Sequence, residues 1–188
     1  MVERKNKKVF RLAGIEKDSV VDGEGWRYVI FFQGCSHNCK GCHNTQTHSF
    51  SGGRETTEEE ILADLQECNK EHFMEITLSG GDPFFQAKDI MYLCKKLKEL
   101  NYNIWAYTGF VFEDFLNHKN GQSTNKHVTP DMVELLQYID VLVDGPYMEQ
   151  YRSIGGDYPY RGSSNQRLID VASSLKENKT IIYNIEED

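Results

Sequence analysis

The chain has 188 residues, enough for one domain spanning 1–188 with a proper hydrophobic core. Its 29 acidic against 21 basic side chains leave a formal net charge of −8. That argues against nucleic acid as a partner, because a phosphate-binding footprint is normally a basic patch. No apolar run approaches a membrane span, and the basic start MVERKNKKVFRLAG has no apolar stretch behind it. A cytoplasmic chain off the membrane is therefore expected, with its five cysteines as reduced thiols or metal ligands.

In chain order, DGEG (22–25) is a turn by local rules. RYVIFFQ (27–33) reads as a buried strand running directly into the loop GCSHNCKGCHN (34–44). TTEEEILADLQEC (56–68) reads as a helix, with its acidic residues in the first turn and Ile61, Leu65 and Cys68 on one face. EITLSGG (75–81) is a second strand, stopped by two glycines. DIMYLCKKLKEL (89–100) is a helix with Ile90, Leu93, Cys94 and Leu97 on one stripe. NIWAYTG (103–109) is a third strand, and NHKNGQSTNKH (117–127) is a polar loop where disorder is expected. TPDMVELLQYI (129–139) opens a helix with Thr129 as N-cap and Pro130 behind it, leading into the strand DVLVDG (140–145). RLIDVASSLKEN and TIIYN predict a last helix and strand.

Strands this uniformly apolar, alternating with helices, predict an α/β fold with a parallel sheet covered on both faces. About five strand–helix units are too few for the eight of a closed barrel, so an open, partial (β/α) barrel is expected. In such folds function gathers at the carboxyl ends of the strands. There the cysteine loop, SGGDP, TGF and VDGPY follow successive strands and share one rim.

Three cysteines in one loop, Cys35, Cys39 and Cys42, admit several chemistries. Cys39-Lys40-Gly41-Cys42-His43 matches the haem-attachment pattern but leaves Cys35 idle. A redox dithiol of Cys39 and Cys42 leaves it idle too. Structural zinc needs a fourth ligand from His37, His43 or His48. Iron–sulfur ligation accounts for the number three best, because a four-iron cube held by three thiolates keeps one iron open. The small residues Gly34, Ser36 and Gly41 let the loop fold tightly around a cluster. Asp144 is open between a rim ligand and the first residue of a turn. Cys68 and Cys94 read as inert core thiols, Trp105 as packing, and His118 and His127 as solvated loop residues.

The C-x3-C-x2-C spacing after a first buried strand resembles the radical S-adenosylmethionine enzymes. Within them the chain is most similar to the small activases that place a radical on a glycine of a partner, in the branch serving the anaerobic ribonucleoside-triphosphate reductase. The stretches that carry the resemblance are 20–44, LSGGDP (78–83), WAYTGF (105–110), DVLVDGPY (140–147) and RGSSNQR (161–167), the last two being the discriminating ones. Two residues depart from the superfamily's general pattern: Gly41 stands where an aromatic residue often packs on the adenine, and Gly80-Gly81-Asp82 where Gly-Gly-Glu is common. Both variants fit the reductase-activating branch.

The resemblance implies a 4Fe-4S cluster on Cys35, Cys39 and Cys42. It also implies S-adenosylmethionine bound around Gly41, Cys42, His43, Gly80, Gly81 and Asp82, with Asp82 accepting from the cofactor's amine and His43 a candidate for the adenine. No catalytic residue is expected beyond these ligands. A flavodoxin-like one-electron donor and the glycyl-radical subunit of the reductase are the implied partners. A pyruvate formate-lyase activase or a small-molecule radical synthase is the alternative. An open rim would admit an extended glycine-bearing loop and poorly enclose a metabolite.

Overall fold

The computed structural model describes residues 8–155 and 158–185, so the first half of the basic start lies outside the described residues. The elements in chain order are β1 (Val9–Ser19), β2 (Arg27–Phe32), β3 (Arg54–Thr57), α1 (Glu58–Cys68), β4 (Glu75–Gly80), α2 (Ala87–Glu99), β5 (Ile104–Tyr107), α3 (Phe112–Lys119), α4 (Pro130–Leu135), β6 (Val141–Asp144), β7 (Arg167–Asp170) and α5 (Val171–Glu177).

The strands join in one sheet of order β3-β1-β2-β4-β5-β6-β7, with β3 and β7 as its open edges. The four central strands β2, β4, β5 and β6 are parallel, as their continuous apolar runs predict. The sheet as a whole is mixed, which corrects the all-parallel expectation. β1 pairs antiparallel with both β2 and β3, and β7 pairs antiparallel with β6. The partial, unclosed (β/α) barrel stands.

Local chemistry sets the helix starts. The Thr57 side chain accepts from the Glu60 N–H, and Glu58, Glu59 and Glu60 fill the first turn of α1, where the helix dipole favours them. Thr129 accepts from the Met132 N–H with Pro130 at the start of α4. Asp170 accepts from the Ser173 N–H at 2.9 Å and opens α5. The predicted stripe of α2 is realised, with Ile90, Leu93, Cys94 and Leu97 fully buried against the sheet. Cys68 packs partly buried against the same core. Trp105 is buried in a second cluster with Val141, Val143 and Leu168.

Five segments differ from expectation. β1, the longest strand, alternates polar and apolar residues and carries bulges, so its pattern is weak. Arg54–Thr57 is an edge strand where the helix was expected to begin. Arg167–Asp170 is a strand and not the first turn of α5, and TIIYN contributes only the Ile182 bridge to Ile169. Residues 117–119 of the expected polar loop complete α3.

The β6–β7 corner closes on one cation. The Arg167 Nε donates to Asp144 Oδ1 at 3.0 Å and its Nη2 to Asp144 Oδ2 at 2.5 Å. Its Nη1 and Nη2 also reach the Glu113 carboxylate on α3 at 2.9 and 2.7 Å. The Phe112 N–H completes the Asp144 shell at 2.8 Å. Asp144 is therefore a buried clamp between strand and helix and not a rim ligand.

Hydrogen bonds from Arg167 hold the Glu113 carboxyl at about 2, below its ordinary 4.5. A carboxyl depressed on folding stabilises the fold above its unfolded pKa, and that contribution is lost as pH falls through the folded value. Stability in urea should therefore fall between about pH 4.5 and about 2, and Glu113→Gln should flatten that limb. The effect is modest because Glu113 is 46% exposed. Equal acid sensitivity in the variant and the parent would remove this pair from the account.

Candidate metal and cofactor centre

The carboxyl ends of the four parallel strands surround one cavity of about 440 Å³. Its wall holds Cys35, Cys39 and Cys42 from the loop after β2, Gly80 and Gly81 after β4, Thr108 and Gly109 after β5, and Gly145 and Tyr147 after β6. The rim expected from the order of motifs is the rim the fold builds.

The loop is shaped by its backbone. Gly34 N–H donates to Thr47 O at 2.7 Å, Cys35 N–H to His48 O at 3.1 Å, and Cys42 N–H to Cys39 O at 3.2 Å. All three cysteines are free thiols and half-buried. The Cys42 sulfur meets the Asn44 N–H at 3.4 Å and the His48 Nε2 at 3.4 Å. Such donors stabilise charge on a ligating sulfur and tune a cluster's potential. Burial pushes the Cys35 thiol up to about 11 and raises that of Cys39, so a metal entering here must displace their protons.

Among the described residues no three His, Cys, Asp or Glu side chains converge on a single-ion site. Tetrahedral zinc would draw its sulfurs together at about 2.3 Å from one centre. Three thiols facing one roomy cavity suit a multi-iron cluster, each thiolate on its own iron. The histidines weighed as zinc ligands have other tasks. His48 contacts the Cys42 sulfur, His43 packs its ring 4.9 Å from that of Tyr147, and His37, on the cavity wall, commits its Nε2 to Asp82.

Asp82 is the residue whose position differs most from expectation. Its side chain is 1% exposed and is absent from the cavity wall, so the geometry does not offer it to a ligand's amine. Its Oδ2 accepts from His37 Nε2 at 2.7 Å, from Thr108 Oγ1 at 2.9 Å and from the Gly109 N–H at 3.0 Å. Its Oδ1 accepts from the Phe84 N–H at 2.9 Å. One carboxylate thus ties the cysteine loop, the end of β4 and the end of β5. Each buried donor left without its acceptor would cost about 1–3 kcal/mol.

The glycines serve this closeness. A methyl group at Gly81 would sit 2.5 Å from the Gly34 carbonyl oxygen, so the turn after β4 presses directly on the cysteine loop. Gly80 has φ of +99° and lies against the Phe32 backbone. Gly109 leaves room for the His37 ring, which a methyl group would meet at 2.5 Å. Gly41 has φ of +74°, and the Glu149 side chain occupies the space beside it at 3.0 Å. A side chain there would be strained by that backbone conformation and would have to displace the Glu149 side chain slightly. Gly41 is accordingly outside the cavity wall, while Cys42, His43, Gly80 and Gly81 are on it. Tyr147, Tyr160, Arg161 and Gln166 also line the cavity. The motifs VDGPY and RGSSNQR contained all but Tyr160, without a pattern that assigned them roles.

A profile of the family described as a 4Fe-4S single cluster domain matches residues 21–169. The chain is 34% identical over 154 residues to the anaerobic ribonucleoside-triphosphate reductase-activating protein of Vibrio cholerae, covering 78% of this chain and 89% of that protein. It is 32% identical over 152 residues to the protein of the same name from Enterobacteria phage T4, covering 79% and 86%. It is 30% identical over 154 residues to that of Haemophilus influenzae, covering 78% and 89%. No helix among the described residues is long and apolar enough to cross a membrane.

Replacing Cys35, Cys39 or Cys42 with Ala should abolish iron retention after anaerobic reconstitution, measured by iron assay and visible absorption. Cys68→Ala and Cys94→Ala should retain it. Gly81→Val and Asp82→Ala should also lose most of their iron, because each disturbs the seat of the cysteine loop; full iron in both would show that the loop stands without them.

Proposed function

The chain belongs to the family of anaerobic ribonucleoside-triphosphate reductase-activating proteins, and from that premise we propose that it generates a glycyl radical on an anaerobic (class III) reductase, with a 4Fe-4S cluster and S-adenosylmethionine as cofactors. The observation that carries the reading is the convergence of three free thiols from one loop on a cavity walled by the ends of four parallel strands.

When bound, the two cofactors supply one electron and a carbon radical from reductive cleavage of a carbon–sulfur bond, chemistry no side chain offers. The protein's part is to hold and orient. Cys35, Cys39 and Cys42 would hold the cluster, and three thiolates for four irons would leave a position for the second cofactor. Gly80 and Gly81 on the cavity wall would let that cofactor approach the backbone, and the Asn44 amide fixes the Gly80 carbonyl by donating to it at 3.3 Å. The rings of His43 and Tyr147 form a wall against which a flat base can pack. Asp82 works from below, keeping the loops in register without touching the reacting atoms.

The open edges of the sheet suit a polypeptide substrate. Glycine presents backbone with no side chain in the way, so an extended glycine-bearing loop can reach the rim. The electron comes from a one-electron donor of the flavodoxin kind, and the setting is the cytoplasm, where thiols stay reduced. The net charge of −8 fits protein partners and not a nucleic acid.

Anaerobic mixing of the reconstituted protein, dithionite, S-adenosylmethionine and the reductase should produce a glycyl-radical signal on the reductase by electron paramagnetic resonance. The signal should require every component and vanish with Cys39→Ala. Rapid turnover of a free metabolite with no radical on any partner would overturn the reading in favour of a small-molecule enzyme.

A further inference from the structure

Residues 25–54 carry no acidic side chain, in a chain that has 29 of them. The last part of that run, residues 45–54, leaves the cysteine loop and leads into β3. Thr45, Gln46, Ser49, Phe50 and Ser51 are exposed there, and none of them lines the cavity. Arg54 is exposed at its end, and Arg11 donates to Ser51 O, Gly52 O and Gly53 O at 3.2, 2.8 and 3.3 Å. Two carboxylates flank the segment and the cysteine loop, and both are paired: Glu55 with Arg11 at 3.0 Å and Glu149 with Lys40 at 3.4 Å.

This surface is held from beneath. The buried Gln33 amide donates to Gln46 O and Ser49 O at 3.2 and 2.7 Å, and Thr47 Oγ1 donates to Asn44 O at 2.7 Å. Phe50 is 52% exposed, although its ring rests on Gly34, where a methyl group would meet it at 2.5 Å. It also meets the Phe85 ring edge-on at 5.6 Å. An exposed ring fixed in this way costs little ordering when a partner covers it. In the same segment His48 is half-buried and stands outside the cavity wall, with its Nε2 3.4 Å from the Cys42 sulfur. The surface therefore reaches a ligating sulfur without passing through the cavity.

We propose that residues 45–54 form the docking surface for an acidic, flavin-bearing one-electron carrier protein. This rests on the cluster and cofactor reading above. The cavity mouth has to hold the second cofactor and the partner polypeptide, so an electron delivered while both are bound needs a second face. A net charge of −8 repels an acidic carrier, and the repulsion is relieved along a run without carboxylates that Arg11, Lys40 and Arg54 border. Electron tunnelling falls steeply with distance, and the contact of His48 with Cys42 joins this face to the cluster's ligand. One electron leaves the carrier, which is oxidised, and one arrives on the cluster, which is reduced; no bond of this chain forms or breaks.

The test follows cluster reduction in the anaerobically reconstituted full-length protein by stopped-flow absorbance, with two reductants. One is reduced flavodoxin, an acidic carrier, and the other is photoreduced 5-deazariboflavin, a small uncharged one. Phe50→Glu and Gln46→Glu should each slow reduction by flavodoxin about 10-fold at low salt, with iron content and the deazariboflavin rate unchanged. Gln46→Lys should speed the flavodoxin reaction. A saturating excess of the reductase should leave the parent's flavodoxin rate unaltered. Equal slowing with both reductants would make these side chains supports of the cysteine loop and overturn the assignment. Unchanged flavodoxin rates in both glutamate variants, or a rate blocked by the reductase, would place the carrier at the cavity mouth and overturn it equally. A parent that holds no reducible iron cluster would instead overturn the cofactor reading, and the proposal with it.

Discussion

A carboxylate buried beneath a rim must be surrounded by donors, and those donors must come from somewhere. At Asp82 they come from three separate loops: His37 of the cysteine loop, Thr108 and Gly109 after β5, and Phe84 in the turn that Asp82 itself begins. The desolvation cost of the charge is offset only while all four are in place. The cavity above inherits its shape from that requirement. Moving any one loop orphans a buried group on another, so the thiols and the glycine turn are held in one register although they are far apart in the chain.

A second carboxylate does the corresponding work at the far side of the same rim, on the outermost of the parallel strands. Asp144 ends β6 fully buried, and Arg167 joins it to Glu113 on α3. This clamp fixes the antiparallel strand β7 on the sheet's edge and with it the loop that returns from residue 145. Between the two clamps lies a wall of rings and backbone. Glu149 from the returning loop reaches the space beside Gly41, where the Lys40 ammonium lies 3.4 Å from its carboxylate. The cysteine loop is thus braced from below by Asp82 and from the side by the segment after β6.

The sheet is open for reasons that are equally local. β1 crosses to pair with both β2 and β3, and β7 turns back antiparallel, so neither edge presents the parallel partner that closure would need. The rim therefore lacks the strands that would complete a ring around the cavity.

The sequence by itself determined the central strands, four of the five helices with the cap at Thr129, and the chemistry of the three-cysteine loop. Each of these is written in neighbouring residues: continuous apolar runs, a stripe such as Ile90, Leu93, Cys94 and Leu97, a threonine before an acidic turn, a fixed cysteine spacing. It also set the order of motifs along one rim, since parallel strands place their carboxyl ends together. Only the tertiary structure decided what the isolated polar residues do. Asp82 reads locally as a ligand for an amine and is a support beneath the cavity; Asp144 reads equally as ligand or turn and is a clamp. Arg161 and Arg167 stand in one short motif, yet Arg167 is satisfied by two carboxylates while Arg161 lies along the cavity wall with its Nε buried and unpartnered among the described residues. The physical reason is range: apolar periodicity and caps act within a turn or two of chain, whereas a buried charge is satisfied by groups tens of residues away, which meet it only once the fold has formed.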